Sequence, residues 1–293
     1  MRVFTLTAGL CAILATLSFK SSFATAREDD KEKALKLAVE AGEVFKAEKY
    51  AEAIELSKKS IALDAKNPAS HFVLGHANLR LRHYEEAIAA FTEMIKLDPK
   101  AAAKTSAYDL RGDAYLKSGK FKEAIADYDE FLKTHDKLAP QHWRRGIALY
   151  YAGKFKEGVE QFELHRKVNP EDVENSAWHY LCNARANSPK KAREELIPVT
   201  KDNRVPMKQV LELFAGKIKP ADVLDAVEKS KLTGDDLKEA RFYANLYVGL
   251  YYESEGDAKK ALEHIATAAE KYKNDDYMWD VANVHMKLLK DKK

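Results

Sequence analysis

At 293 residues, 46% of them apolar, the chain can bury a core without disulfide or metal staples. Its 12 Gly and 8 Pro, set among 32% charged residues, suit helices and argue against an all-β sandwich or a disordered chain. A formal charge of +3 with both signs interspersed leaves no basic face for phosphates to track, which argues against a nucleic-acid partner.

The first 26 residues differ from the rest of the chain. Arg2 forms a short positive region, Val3 to Phe19 an apolar run, and Ala24-Thr25-Ala26 a small-x-small site ahead of polar Arg27-Glu28-Asp29-Asp30. This predicts a signal peptide over residues 1–26, cleaved after Ala26, and a periplasmic or secreted mature chain. A retained anchor is the competing reading. The run of 17 residues, ended by Lys20, is marginal for a span, so no transmembrane segment is expected in the mature chain. Cleavage would take Arg2 and Lys20 from the 49 basic residues, leaving 47 against 46 acidic ones. Cys11 follows the bulky Leu10 where a lipobox needs a small residue, so lipid anchoring there is disfavoured. Cys182 then has no disulfide partner and is expected to be a small core residue beside Trp178 and Leu181.

Beyond residue 26 the chain repeats itself. Lys49-Tyr50-Ala51-Glu52-Ala53-Ile54, His83-Tyr84-Glu85-Glu86-Ala87-Ile88, Lys120-Phe121-Lys122-Glu123-Ala124-Ile125 and Lys154-Phe155-Lys156-Glu157-Gly158-Val159 are variants of one segment. Their small residues Ala53, Ala87, Ala124 and Gly158 are spaced by 34, 37 and 34. Around them Gly75, Gly112 and Gly146 recur in first helices, Gly119 and Gly153 in turns, and Phe91, Tyr128 and Phe162 in second helices. Small residues let antiparallel helices approach closely, and Pro99 and Pro170 stop second helices. The period and these positions resemble the tetratricopeptide repeat (TPR).

The extra three residues before Ala124 fit a longer turn at Ala101-Ala102-Ala103-Lys104. The first repeat is eroded: Gly42 is one place off, and Ser57 and Ala65 replace an aromatic and a proline, as suits a terminal repeat. Residues 27–172 thus hold four TPR-like repeats. Residues 173–240 form an irregular helical segment, with Ser188-Pro189, Pro206 and Pro220 opening short helices. The pattern returns over residues 241–293, with Gly249, Tyr252, Gly256-Asp257 and Ala261, and a final amphipathic helix near Tyr277 to Leu289 caps the array. The expected fold is an all-α TPR solenoid, a right-handed superhelix with irregular helices between repeats four and five.

The later segments carry a second resemblance. A Trp178 helix, Lys190-Lys191-Ala192-Arg193-Glu194-Glu195-Leu196, Leu213-Phe214-Ala215-Gly216-Lys217-Ile218 and the run Phe242 to Tyr252 resemble the NlpI-type lipoproteins of Gram-negative bacteria. That resemblance implies a periplasmic homodimeric scaffold that docks a tail-specific protease and peptidoglycan endopeptidases. The missing lipobox departs from that family and puts its outer-membrane anchor in question.

In a TPR array the first helices line a concave groove. Phe72, His76 and Arg80 fall there from the second repeat, Asp109, Asp113 and Lys117 from the third, and Trp143, Tyr150 and Tyr151 from the fourth. Aromatic residues beside an acidic pair suit a partner peptide carrying basic and apolar groups. Alternatively Trp143, Tyr150 and Tyr151 pack against the following irregular helices and fill the groove from within. No nucleophile elbow, phosphate loop, His-Glu-x-x-His run or haem motif occurs, and the histidines are scattered, so no catalytic residue, metal or cofactor is expected. The expected function is an exported protein-binding adaptor. A structural spacer in an envelope complex, or a lipid-anchored adaptor, is the alternative.

Overall fold

The computed structural model describes residues 8–291, with side chains from Arg27 onward. Helix α1 (Ala8–Lys46) runs through the expected export segment, whose side chains, Cys11 included, lie outside the described part. No strand occurs among the described residues, and none of their helices is long and apolar enough to cross a membrane. The chain divides into two compact units, Met1–Arg111 and Gly112–Lys293.

The first unit holds α1, α2 (Tyr50–Leu63), α3 (Pro68–Arg80), α4 (Tyr84–Leu97), α5 (Pro99–Lys104) and the start of α6 (Ala107–Lys117). Ala53, Ile54 and Ala77 form one buried cluster, with Val44, Phe45, Tyr50, Val73 and Leu74 packed around it, and Met94, Ala102 and Ala107 form another. Ala101-Ala102-Ala103-Lys104, expected to be a longer turn, instead lies within α5. Pro99 supplies its first residue, and the Asp98 carboxylate caps it by accepting from the Ala101 amide at 2.9 Å.

In the second unit, α6 is followed by α7 (Phe121–Leu132), a 3-10 turn (Asp136–Gln141), α8 (Trp143–Tyr151) and α9 (Phe155–Arg166). The irregular segment supplies α10 (Val173–Ala186), α11 (Pro189–Glu194), α12 (Met207–Phe214) and α13 (Pro220–Glu228). Then come α14 (Gly234–Ser254), α15 (Ala258–Ala266), a π turn (Thr267–Lys271) and α16 (Tyr277–Asp291). Helices α10 and α14 are buried nearly all round, from Asn175 to Ala184 and from Phe242 to Leu250, and so form the centre of this unit. Each large apolar side chain fully buried there contributes about 1.5–3 kcal/mol relative to exposure.

One steric rule explains the repeats. A Cβ on Gly75 would stand 2.9 Å from Phe91, one on Gly112 2.8 Å from Tyr128, one on Gly146 2.6 Å from Phe162, and one on Gly249 2.7 Å from Ile265. Each pair is 16 residues apart. The glycine leaves the space that the second helix's large side chain fills. At the same spacing the first repeat has Ala41 and Ser57, both completely buried, whereas Gly42 faces open space. A smaller residue in the second helix accompanies a methyl in the first, which accounts for the one-place offset.

The turns obey a second rule. Lys49, His83, Lys120, Lys154 and Asp257 each donate their amide to the carbonyl five residues back, at 2.8–3.2 Å. This bond needs a left-handed residue just before the donor. Gly119, Gly153 and Gly256 occupy that place at φ 83°, 76° and 85°, and the first two repeats use Glu48 and Arg82 at 61° and 62°.

Candidate functional site

In the first unit, Phe72 and His76 lie half-buried on α3, and Arg80 is exposed one turn further on. They join an aromatic ladder. The Phe45 and His76 rings are 4.4 Å apart, Phe72 meets Phe91 edge-on at 6.0 Å, and the Arg80 guanidinium sits 5.2 Å from the Tyr50 ring centre. Burial, and then the neighbouring Arg80 charge, push the His76 imidazole down to about 4, so it is neutral near pH 7. Asp109 lies lower, 8% exposed.

The second unit treats its groove residues differently: α16 covers them. Tyr277 donates its hydroxyl to Asp113 Oδ1 at 2.6 Å. The Lys117 ammonium lies 3.1 Å from Asp113 and 3.4 Å from Asp280, and 4.3 Å from the Tyr277 ring centre. Lys117 is 11% exposed, so the acidic residue is neutralised within the chain. Further along, Tyr151 Oη is 3.0 Å from His285 Nδ1, while His285 Nε2 is 3.1 Å from Glu253 Oε2. Tyr150 donates to the same Glu253 oxygen at 3.1 Å. Burial first, and then Glu253, hold the Tyr150 hydroxyl well above its ordinary pKa. The segment seated on this face is therefore the terminal helix, with Trp178 of α10 edge-on to Tyr150 at 5.4 Å. Trp143, at the rim, is half-buried and edge-on to Tyr277 at 4.8 Å.

Beside Trp143 opens a cleft of about 330 Å³, walled by α8, α9, α10, α14 and the start of α16. Arg204 reaches its mouth and ties three acids together: Asp172 at 3.0 Å, Glu174 at 2.7 Å and Asp202 at 2.7 Å. Tyr247 donates to Glu174 from below at 2.8 Å. Burial, then the charge of Asp172, raise the Glu174 carboxyl to about 7 against the opposing pull of Arg204. Sequence patterns alone did not reveal this cleft or the partners Tyr277, Asp280 and His285. A signal was present in α16, whose apolar stripe is interrupted by polar residues on the side that packs. Cys182 is a free, fully buried thiol whose Sγ would lie 2.6 Å from a Cβ on Gly158, and burial pushes its pKa up. No group of three or more metal-ligating side chains occurs among the described residues.

The glycine–aromatic pairs and paired helices define an all-α TPR fold. A tetratricopeptide repeat profile matches residues 110–164, and a profile described as anaphase-promoting complex, cyclosome, subunit 3 matches residues 21–94. Among solved structures the chain is similar to a tetratricopeptide repeat protein from Parabacteroides merdae, at 16% identity and TM-score 0.56, over 88% of this chain and 99% of that one. It is also similar to YrrB, described as a TPR protein with an unusual peptide-binding site, at 18% identity and TM-score 0.55, over 67% of this chain and 98% of that one. At these identities the likeness is one of fold.

Proposed function

We propose that this chain is an exported protein-binding scaffold, and that its first unit holds a partner segment against Phe72, His76 and Arg80. The carrying observation is the contrast between the units. The equivalent residues of the second unit are engaged by α16, whereas the first unit keeps half-buried rings beside an exposed guanidinium. That combination suits an apolar segment with a carboxylate or carbonyl for Arg80. TPR repeats are a protein-interaction architecture, which supports binding over catalysis. The finer reading is a periplasmic, homodimeric adaptor for a tail-specific protease and peptidoglycan endopeptidases. It rests on the resemblance of the Leu213–Ile218 and Phe242–Tyr252 segments to NlpI-type proteins and on the small-x-small site at Ala24-Thr25-Ala26.

A photoreactive residue at Arg80, crosslinked in cells and resolved by mass spectrometry, tests the scaffold. Adducts with an exported enzyme that disappear in Phe72→Ala are expected; adducts with the chain itself alone would leave a self-associating spacer instead. Amino-terminal sequencing of the exported fraction tests cleavage after Ala26.

A further inference from the structure

We infer that the cleft beside Trp143 binds a single basic side chain, lysine or arginine, presented by a partner protein. The inference rests on the protein-binding reading only for the source of that side chain; the chemistry stands on the second unit alone.

Three observations carry it. The walls are aromatic: Trp143 and Tyr277 meet edge-on at 4.8 Å, and Trp178 and Tyr243 line the same space. Aromatic faces attract a cation, and more strongly once it is desolvated. The lining is acidic, because Asp172, Glu174 and Asp276 face a single guanidinium, that of Arg204, which is shared with Asp202 outside the cleft. Burial is the main cause of the raised Glu174 carboxyl, and the neighbouring Asp172 charge adds to it against Arg204.

The third observation is independent of charge. Asn175, 3% exposed, donates its amide nitrogen to the Phe162 carbonyl at 3.2 Å, and its Oδ1 has no partner. Trp178, 2% exposed, leaves its indole N–H without an acceptor. Unpaired buried polar atoms are destabilising, because each has lost water without gaining a partner. An ammonium or guanidinium supplies the donor that Asn175 Oδ1 needs, and a carbonyl of the bound segment supplies the acceptor for Trp178. A volume of about 330 Å³ leaves room for one long side chain and its peptide unit.

The chain has three tryptophans, each carrying one indole N–H to follow by NMR. Trp279 donates its own to the Ala269 carbonyl at 2.8 Å and serves as the internal control. The full chain, labelled with nitrogen-15, is titrated with N-acetyl-lysine methylamide, N-acetyl-arginine methylamide and the neutral N-acetyl-norleucine methylamide. A basic compound is expected to move the Trp143 and Trp178 signals saturably while Trp279 stays fixed, and norleucine to move neither. Asp276→Asn keeps the capping oxygen that accepts from the Met278 amide, and should weaken binding about tenfold, equivalent to 1.4 kcal/mol. Trp143→Phe, which keeps a ring at the rim, serves where Asp276→Asn disturbs the Trp279 signal; it should weaken binding too. Equal shifts with norleucine, an unmoved Trp178, or undiminished binding in these variants would each overturn the assignment. Failure here leaves the Arg80 crosslinking result standing, and the reverse also holds.

Discussion

Replacing Gly146 by alanine isolates the steric rule of the repeats. The new Cβ would stand 2.6 Å from Phe162 Cζ and 2.9 Å from both Cε atoms. Carbon contacts relax near 3.5–4.0 Å, so the overlap is about an ångström. Phe162 is 1% exposed and has nowhere to swing. Overpacking of this kind costs about 1–3 kcal/mol, while the helix-propensity gain of Gly→Ala returns about 1 kcal/mol. The expected net loss is therefore at most about 2 kcal/mol. Gly42→Ala has the same propensity gain and open space around the new methyl, so it should stabilise by about 0.5–1 kcal/mol. Trp143, Trp178 and Trp279 all lie in the second unit, so tryptophan fluorescence in urea follows the unfolding that Gly146→Ala perturbs. Circular dichroism follows Gly42→Ala. Adding Phe162→Leu to Gly146→Ala should recover stability with a coupling near 1 kcal/mol. A Gly146→Ala that stabilises as much as Gly42→Ala, or strict additivity in the double variant, would refute the steric account.

Three further outcomes are expected. Glu48→Gly relieves a left-handed non-glycine residue and should stabilise by about 0.5–1 kcal/mol, whereas Gly119→Ala, at φ 83° with no steric neighbour, should destabilise by about 1 kcal/mol; urea midpoints check both. Glu174 titrates near 7 when folded and near 4.5 when unfolded, so the unfolded chain ionises first. Stability therefore falls as pH rises from 4.5 to 7 by roughly 3 kcal/mol on this account, and Glu174→Gln should remove that slope when denaturation curves are compared across the window. His76 runs the other way: its folded pKa of about 4 means stability is lost as pH falls from 6.5 toward 4. Its imidazole signals should titrate near 4 in NMR, and Arg80→Gln should raise that midpoint.

The period of 34, the glycine-to-aromatic spacing of 16 and the prolines that open α11 and α13 were all legible in the chain, because each acts within one helix pair or one turn. Local steric and backbone rules repeat wherever the same residues repeat. Asp113, Lys117, Tyr150 and Tyr151 were legible as first-helix residues by the same logic. Their cover was not. Tyr277 reaches Asp113 across 164 residues, and His285 reaches Tyr151 across 134. No periodicity links positions so far apart, and an amphipathic terminal helix satisfies its apolar stripe equally well as an end cap or as a groove filler. The orphaned Asn175 and Trp178 atoms likewise emerged once five separate elements had closed around them. The sequence determined by itself the repeated helix pairs and their turns, since those are short-range constraints, although it did not distinguish α5 from a longer turn. The tertiary structure alone decided which groove residues are taken and where an unbalanced cleft is left, because burial and charge depend on everything that packs nearby.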